Sequence, residues 1–372
     1  MNSSDISEYF CLLSGENPEL ALYELESIIS SMDDLVQLVR IFDSRIVNIK
    51  LKETLLQNDE RSILQKLIQR ATMVHCCCKL LFQVEYKSSS TNEFNELVQS
   101  FDTNNLLDLE PTTTFCVRTR RIRNPVGILT KPQITQEITN YFGAAILKRF
   151  PNKKVDLEQP KEIYRVIVSK HGLWFGLHIC ESLRQAVRKR TVRDRPFFHP
   201  SSMNPILQRT LVNLTAIKEG QWLLDPFCGT GGALLEASRM GFRSVGIEID
   251  RKIVWGAFRN LTSDKITFPL TNLIFGDAKH LGFRFGAISA VITDPPYGTA
   301  ASTQGYDLND LLIQFFIEIK SILSPNSRLV ISIPSTVNLE EEAATILNAS
   351  YRKFYQYVHR SLTRKILVFS LR

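Results

Sequence analysis

Apolar positions recur along the chain with two periods, and the change from one to the other marks out its elements. After Asn17-Pro18, an N-cap followed by a proline at the first helical position, Ala21, Leu22, Leu25, Ile28 and Ile29 return at helical spacing. Residues 35–51 read as strand-like pieces, and residues 59–69 as a helix with Ile63, Leu64, Leu67 and Ile68 inward. A buried strand is expected over 71–84, and a capping-box helix from Ser90, with Glu93 three residues on. Residues 114–123 alternate as a strand and then break into arginines. Residues 135–150 are helical, and 163–169 with 173–178 make a hairpin about Lys170-His171-Gly172. Beyond a helix over 203–217, apolar runs at 222–224, 244–250, 273–278 and 290–293 alternate with helical stretches at 233–240 and 307–323. That order predicts a largely parallel α/β sheet, completed by strands at 328–333, 351–359 and 365–371 and a helix at 340–347.

At 372 residues the chain has room for two or three domains with cores of their own. No run approaches the ~20 apolar residues of a membrane span. Met1-Asn-Ser-Ser-Asp-Ile lacks the basic and apolar parts of a signal peptide, so a cytoplasmic location is expected. Seven cysteines, three of them adjacent at Cys76, Cys77 and Cys78, match no disulfide framework or spaced zinc site. Neighbours on a strand point to opposite faces, so the triplet reads as buried thiols and no metal is expected.

Charge alters the picture more than composition does. Residues 118–195 hold 18 Lys/Arg against 6 Asp/Glu, a net of +12 within a chain that totals +7, while residues 1–60 hold 4 against 12. A basic middle after an acidic start fits a nucleic-acid footprint. A solvated charged face fits the same count.

Two motifs carry the chemistry, and each follows an apolar run. Asp225-Pro-Phe-Cys-Gly-Thr-Gly-Gly232 comes after 222–224, and Asp294-Pro-Pro-Tyr-Gly298 after 290–293. A carboxylate at the end of a parallel strand, then a Gly-rich turn into a helix, is where open α/β sheets bind ligands. Gly-x-Gly alone also fits a dinucleotide site or a tight turn. Further acids close the next strands: Glu248, with Asp250 as the alternative or as a helix cap, and then Asp277.

Together these motifs resemble the S-adenosylmethionine-dependent amino-methyltransferases, which methylate exocyclic amines of nucleobases. The resemblance implies a Rossmann-like class I methyltransferase domain over 201–372 and S-adenosylmethionine as cofactor. It implies cofactor contacts from Ser202, Asp225, Phe227, Cys228, Gly229, Thr230, Gly231, Glu248, Ile249, Asp277, Ala278 and Asp294. It implies catalysis by Asp294, Pro295, Pro296 and Tyr297. A nucleobase amine is a poor nucleophile because its lone pair is delocalised. Asp294 and the Pro295 carbonyl would accept its N–H bonds, and Tyr297 would offer a stacking face to a flipped base. Residues 298–305 read as a lid without apolar anchors.

Upstream, the ordered set Phe115-x-Val117-Arg118, Val155-Asp156-Leu157-x-x-Pro160 and the hairpin resembles the THUMP domain, an RNA-binding module of tRNA-modifying enzymes. The expected organisation is a small α+β module over 1–68, a THUMP-like RNA-binding domain over 69–180, a linker over 181–200, and the methyltransferase. Arg118, Arg120, Arg121 and Arg123, with Arg184, Arg188, Lys189 and Arg190 from the linker, are the candidate RNA contacts.

The whole order resembles the tRNA guanine-10 N2-methyltransferases, archaeal members most. This implies tRNA as substrate and a small zinc-containing activator protein as partner, docked on an edge strand that Leu273-Ile-Phe275 would supply. A guanine-6 enzyme, a DNA amino-methyltransferase and a non-catalytic RNA-binding protein are the alternatives. Asp294, where guanine-6 relatives usually carry Asn, favours position 10.

Overall fold

The computed structural model describes residues 8–52, 57–85, 100–106, 113–122, 132–200, 202–264, 270–296, 307–359 and 362–372. The expected Ser90 helix, Arg123, Tyr297 and the lid at 298–305 lie outside them. The first half of the chain runs β1 (Glu8–Leu13), α1 (Pro18–Ser30), β2 (Val36–Asp43), β3 (Ile46–Leu51), α2 (Gln57–Arg70), β4 (Val74–Glu85), β5 (Thr114–Arg121), α3 (Pro132–Arg149), β6 (Lys154–Val155), β7 (Glu162–Val168) and β8 (Gly172–Glu181). The second runs α4 (Arg184–Lys189), α5 (Pro205–Leu214), β9 (Trp222–Asp225), α6 (Gly232–Arg239), β10 (Arg243–Glu248), α7 (Arg251–Ser263), β11 (Thr271–Phe275), β12 (Ile288–Thr293), α8 (Leu308–Lys320), β13 (Leu323–Pro334), α9 (Glu340–Leu347), β14 (Ala349–His359) and β15 (Leu362–Leu371).

One compact unit comprises Met1–Pro18, Asp34–Ile68 and Val74–Glu181. A single eight-stranded sheet, β2-β3-β1-β4-β8-β7-β5-β6, runs through it. Residues expected as an N-terminal module and residues expected as a THUMP-like domain therefore share one sheet. Two strands, β1 and the two-residue β6, were not expected; Glu-Tyr-Phe-Cys-Leu-Leu of β1 shows no alternation because both of its faces are buried. The hairpin expected about Lys170-His171-Gly172 forms, with β7 and β8 antiparallel. On one side of the sheet Ile138, Phe142 and Ile146 of α3 pack onto Phe115, Tyr164 and Phe175. Cys77 sits opposite Cys11 on β1. Cys76 and Cys78 share the other face with His178, which accepts from Arg165 Nε–H at 3.2 Å.

The second unit gathers Ser182–Arg372 with two earlier segments, Glu19–Asp33 and Gln69–Met73. The first of these lies inside the stretch expected as the N-terminal module, and a buried polar network explains the difference. Glu24, fully buried, accepts from Thr72 N–H at 3.1 Å, Met73 N–H at 2.7 Å and Asn213 Nδ2 at 2.8 Å. Arg70 donates to Asn213 Oδ1 and the Ile217 carbonyl, and Arg209 to the carbonyls of Gln69 and Arg70. Arg209 also pairs with buried Glu236. Buried charges of this kind are tolerated only when their partners are all present. Amphipathic pattern alone therefore does not decide where α1 packs.

The sheet of this unit runs β11-β10-β9-β12-β13-β15-β14. Neighbours from β11 through β13 are parallel, and β15 lies antiparallel between β13 and β14. This is the Rossmann-like arrangement expected, with the closing hairpin at its end. Leu312, Phe315, Phe316 and Ile319 of α8 pack onto Leu224, Val291, Leu329 and Ile331. Strand order reverses between β9 and β12, which opens a crevice beyond their C-terminal ends. Among the described residues no helix is long and apolar enough to cross a membrane.

Candidate active site

The crevice is a cavity of about 330 Å³, and the acids expected at the strand ends line it: Asp225, Glu248, Asp277 and Asp294. Local sequence explains the shape. Gly229 and Gly231 take φ of 51° and 76°, left-handed values that a Cβ disfavours, and turn the chain from β9 into α6. A Cβ at Gly232 would lie 2.0 Å from Gln208 Nε2, so the Gln208 side chain fills the space that glycine leaves. Cys228 anchors the turn by donating its N–H to the Ile247 carbonyl at 3.0 Å. Thr230 Oγ1 and Ser202 Oγ are 3.0 Å apart across the cavity wall.

The carboxylates differ in their surroundings. Burial pushes the Asp225 carboxyl up to about 8, opposed by the Phe227 N–H and reinforced by the charges of Asp294 and Glu248. Glu248 is also raised by burial, but three backbone N–H groups, of Asp250, Ile249 and Gly229, work against the shift. Its Oε2 accepts from Gly229 at 3.1 Å and its Oε1 from Asp250 at 2.9 Å. Asp250 itself caps α7, its Oδ1 accepting from Lys252 and Ile253. Asp250 lines the cavity as Glu248 does. Asp277 accepts from Lys279 N–H at 2.9 Å, with Lys279 Nζ 3.6 Å from its other oxygen. Asp294 Oδ2 is 3.3 Å from Arg364 on β15.

Phe227, Cys228, Gly229, Thr230, Ser202, Ile249 and Ala278 also line the cavity, as does Pro296. Gly231 and Pro295 shape the backbone beside it without lining it. The sequence reading did not find His199, Gln208 and Lys279 in the wall, nor Arg364 behind it. Paired glycines at 231 and 232 do signal a close neighbour, which is Gln208, itself held by Arg195 at 3.1 Å. Nothing in the sequence around Arg364 signals its place.

The candidate RNA contacts separate. Arg118 and Arg120 are exposed and two apart on β5, so they share one face; Arg121 turns to the other and is half-buried. Arg188 and Lys189 are exposed on α4. Arg184 and Arg190 depart from expectation. Arg184 is buried and donates to the Thr72 carbonyl at 2.7 Å, and Arg190 pairs with buried Glu236 at 2.9 Å. Both charges are used to hold the second unit together.

Comparison with known proteins bears on the same site. A methyltransferase domain described as RMKL-like matches residues 193–366, and a DNA methylase family matches 109–259. A possible methylase from Clostridium difficile 630 superposes with a TM-score of 0.51 at 15% identity over 98% of this chain and 97% of its own, a likeness of fold. The tRNA (guanine(10)-N2)-dimethyltransferase of Methanocaldococcus jannaschii is 26% identical over 375 residues, 96% of this chain and 98% of that one. The enzyme of the same name from Methanothermobacter thermautotrophicus is 34% identical over 255 residues, 68% of this chain and 72% of its own length. Identity at that level, across more than two thirds of each chain, makes this protein a member of the tRNA (guanine(10)-N2)-dimethyltransferase family.

Proposed function

We infer that the protein methylates the exocyclic N2 amine of guanosine 10 in tRNA, adding one methyl and then a second, with S-adenosylmethionine as donor. The observation that carries this reading is the convergence of four strand-end acids on one cavity, with Pro296 of the Asp294-Pro295-Pro296 run in its lining. The residues fit the cofactor. Asp225, buried and pushed up by that burial, has no cation beside it among the described residues, and an ammonium group would supply one. Glu248, its plane fixed by Gly229 and Asp250, is placed for two ribose hydroxyls, and Asp277 for the adenine amine. When bound, S-adenosylmethionine supplies an electrophilic methyl on sulfur. Asp294 and the Pro295 carbonyl accept the two N–H bonds of the guanine amine and localise its lone pair. Asp294 then takes the proton as the nitrogen becomes positive. Pro295 and Pro296 hold the loop stiff, and Tyr297 is assigned the stacking face for the base.

RNA is assigned to the first unit, read as THUMP-like, through Arg118, Arg120, Arg121 and Arg123, and to the exposed Arg188 and Lys189. A DNA substrate is the second reading, on the strength of the DNA methylase match over 109–259.

A partner is also proposed. β11 is an edge strand, and Ile274 and Phe275 are exposed on it, Phe275 at 52%. On α7 alongside, Trp255 is 67% exposed and stacks edge-on with Phe258 at 5.8 Å. An unpaired edge flanked by aromatic surface suits a protein that adds a strand to the sheet. The small zinc-containing activator is the proposed occupant.

Replacing Asp294 with Ala abolishes transfer to tRNA while the dissociation constants for cofactor and tRNA stay within about threefold; retained transfer removes Asp294 from the mechanism. Cofactor binding at pH 7 releases close to one proton, read by calorimetry in buffers of different ionisation enthalpy, because an ammonium partner restores the charge of Asp225. Its contribution to stability in the cofactor-free protein is present below the ordinary carboxylate range and is lost as pH rises through about 8. Buffer-independent heats contradict this. Neutralising Arg118 and Arg120 lowers the slope of log affinity for tRNA against log salt by about 1 to 2; an unchanged slope returns them to a solvated face. Ile274→Lys with Phe275→Asp abolishes a one-to-one complex with the activator in light-scattering chromatography, and a complex that survives rules out the edge.

A further inference from the structure

We propose that Arg364 is a positioning residue for methyl transfer, whose guanidinium fixes the orientation of the Asp294 carboxylate for the incoming amine. The proposal rests on the reading of Asp294 as the amine's acceptor.

Arg364 stands near the start of β15, opposite Pro334 of β13 and Gln356 of β14. Because β13 lies between β12 and β15, its side chain passes the end of β13 to reach the residue after β12. There Arg364 NH2 donates to Asp294 Oδ2 at 3.3 Å, with only 11% of the arginine side chain exposed. Arg364 is not among the residues that line the cavity. It touches the carboxylate from behind and leaves the substrate side to Asp294. The next residue, Lys365, points to the opposite face and is taken up by Glu340 and the Val337 carbonyl. Of these two consecutive cations, one closes a structural ion pair and the other meets an acid that lines the cavity.

Asp225, Glu248, Asp277 and Asp294 line one cavity. A guanidinium at hydrogen-bond distance from Asp294 restricts the plane of its carboxylate. The amine then meets an acceptor already oriented, and misplacement on the scale of an ångström can cost about 100-fold in rate.

The test is single-turnover methylation of tRNA at saturating cofactor and saturating tRNA, with Arg364→Met, Arg364→Lys and Asp294→Ala beside the wild type. Dissociation constants and melting temperatures are measured on the same preparations. Arg364→Met is expected to lower the rate by about 10- to 100-fold, with both dissociation constants within about threefold, and Arg364→Lys to recover part of the loss. If Arg364→Met keeps the wild-type rate in protein that has folded, while Asp294→Ala is inactive, the proposal is overturned and the reading of Asp294 stands. If Arg364→Met changes melting temperature and both affinities along with rate, and lysine recovers nothing, Arg364 is only a structural closure of the strand end. Full activity of Asp294→Ala removes the premise itself.

Discussion

Burial works against the charge of a carboxylate, and the candidate active site gathers four of them around one cavity. Three acids come from the C-terminal ends of β9, β10 and β12 or just beyond, and a fourth follows β11. A parallel sheet makes the gathering unavoidable, because every one of these strands ends on the same edge. Each acid meets the problem differently. Glu248 accepts from backbone N–H groups, Asp277 sits beside Lys279, Asp294 beside Arg364, and burial pushes the Asp225 carboxyl up. Asp225, with no cation beside it among the described residues, is the one assigned to the positive end of the cofactor.

A second polar constraint lies behind the sheet. Glu24, Arg209 and Glu236 are buried with Arg70 half-buried beside them, and their partners come from the beginning and the middle of the sequence. The segments Glu19–Asp33 and Gln69–Met73 belong to the second unit through these bonds. The second unit therefore extends beyond Ser182–Arg372 to two segments from earlier in the chain. Its packing includes a helix from the beginning of the chain. Arg184 and Arg190 serve the same end, which is why half of the linker's candidate RNA contacts turn inward.

Much of this was legible in the sequence. Strand-end acids, Gly-rich turns and alternating periods located β9 to β15, and α9 begins and ends where its pattern does. Periodicity reports a face against a core, so it gave way where both faces are buried, as in β1, and where polar partners decide, as at α1. Charge counting located the basic middle but could not separate Arg118 from Arg184, because a count carries no information about which arginine meets a buried acceptor. Arg364 was invisible for a related reason. It reaches Asp294 across an intervening strand, 70 residues away in sequence, with no spacing rule to announce it.

The central claim is most directly tested by mapping the methylated nucleotide after incubation with labelled S-adenosylmethionine, on unmodified tRNA and separately on duplex DNA. The account predicts label on tRNA alone, at N2 of guanosine 10, as a mixture of mono- and dimethylated base that shifts to the dimethylated form with time. Label in duplex DNA, or at another position of tRNA, would contradict it.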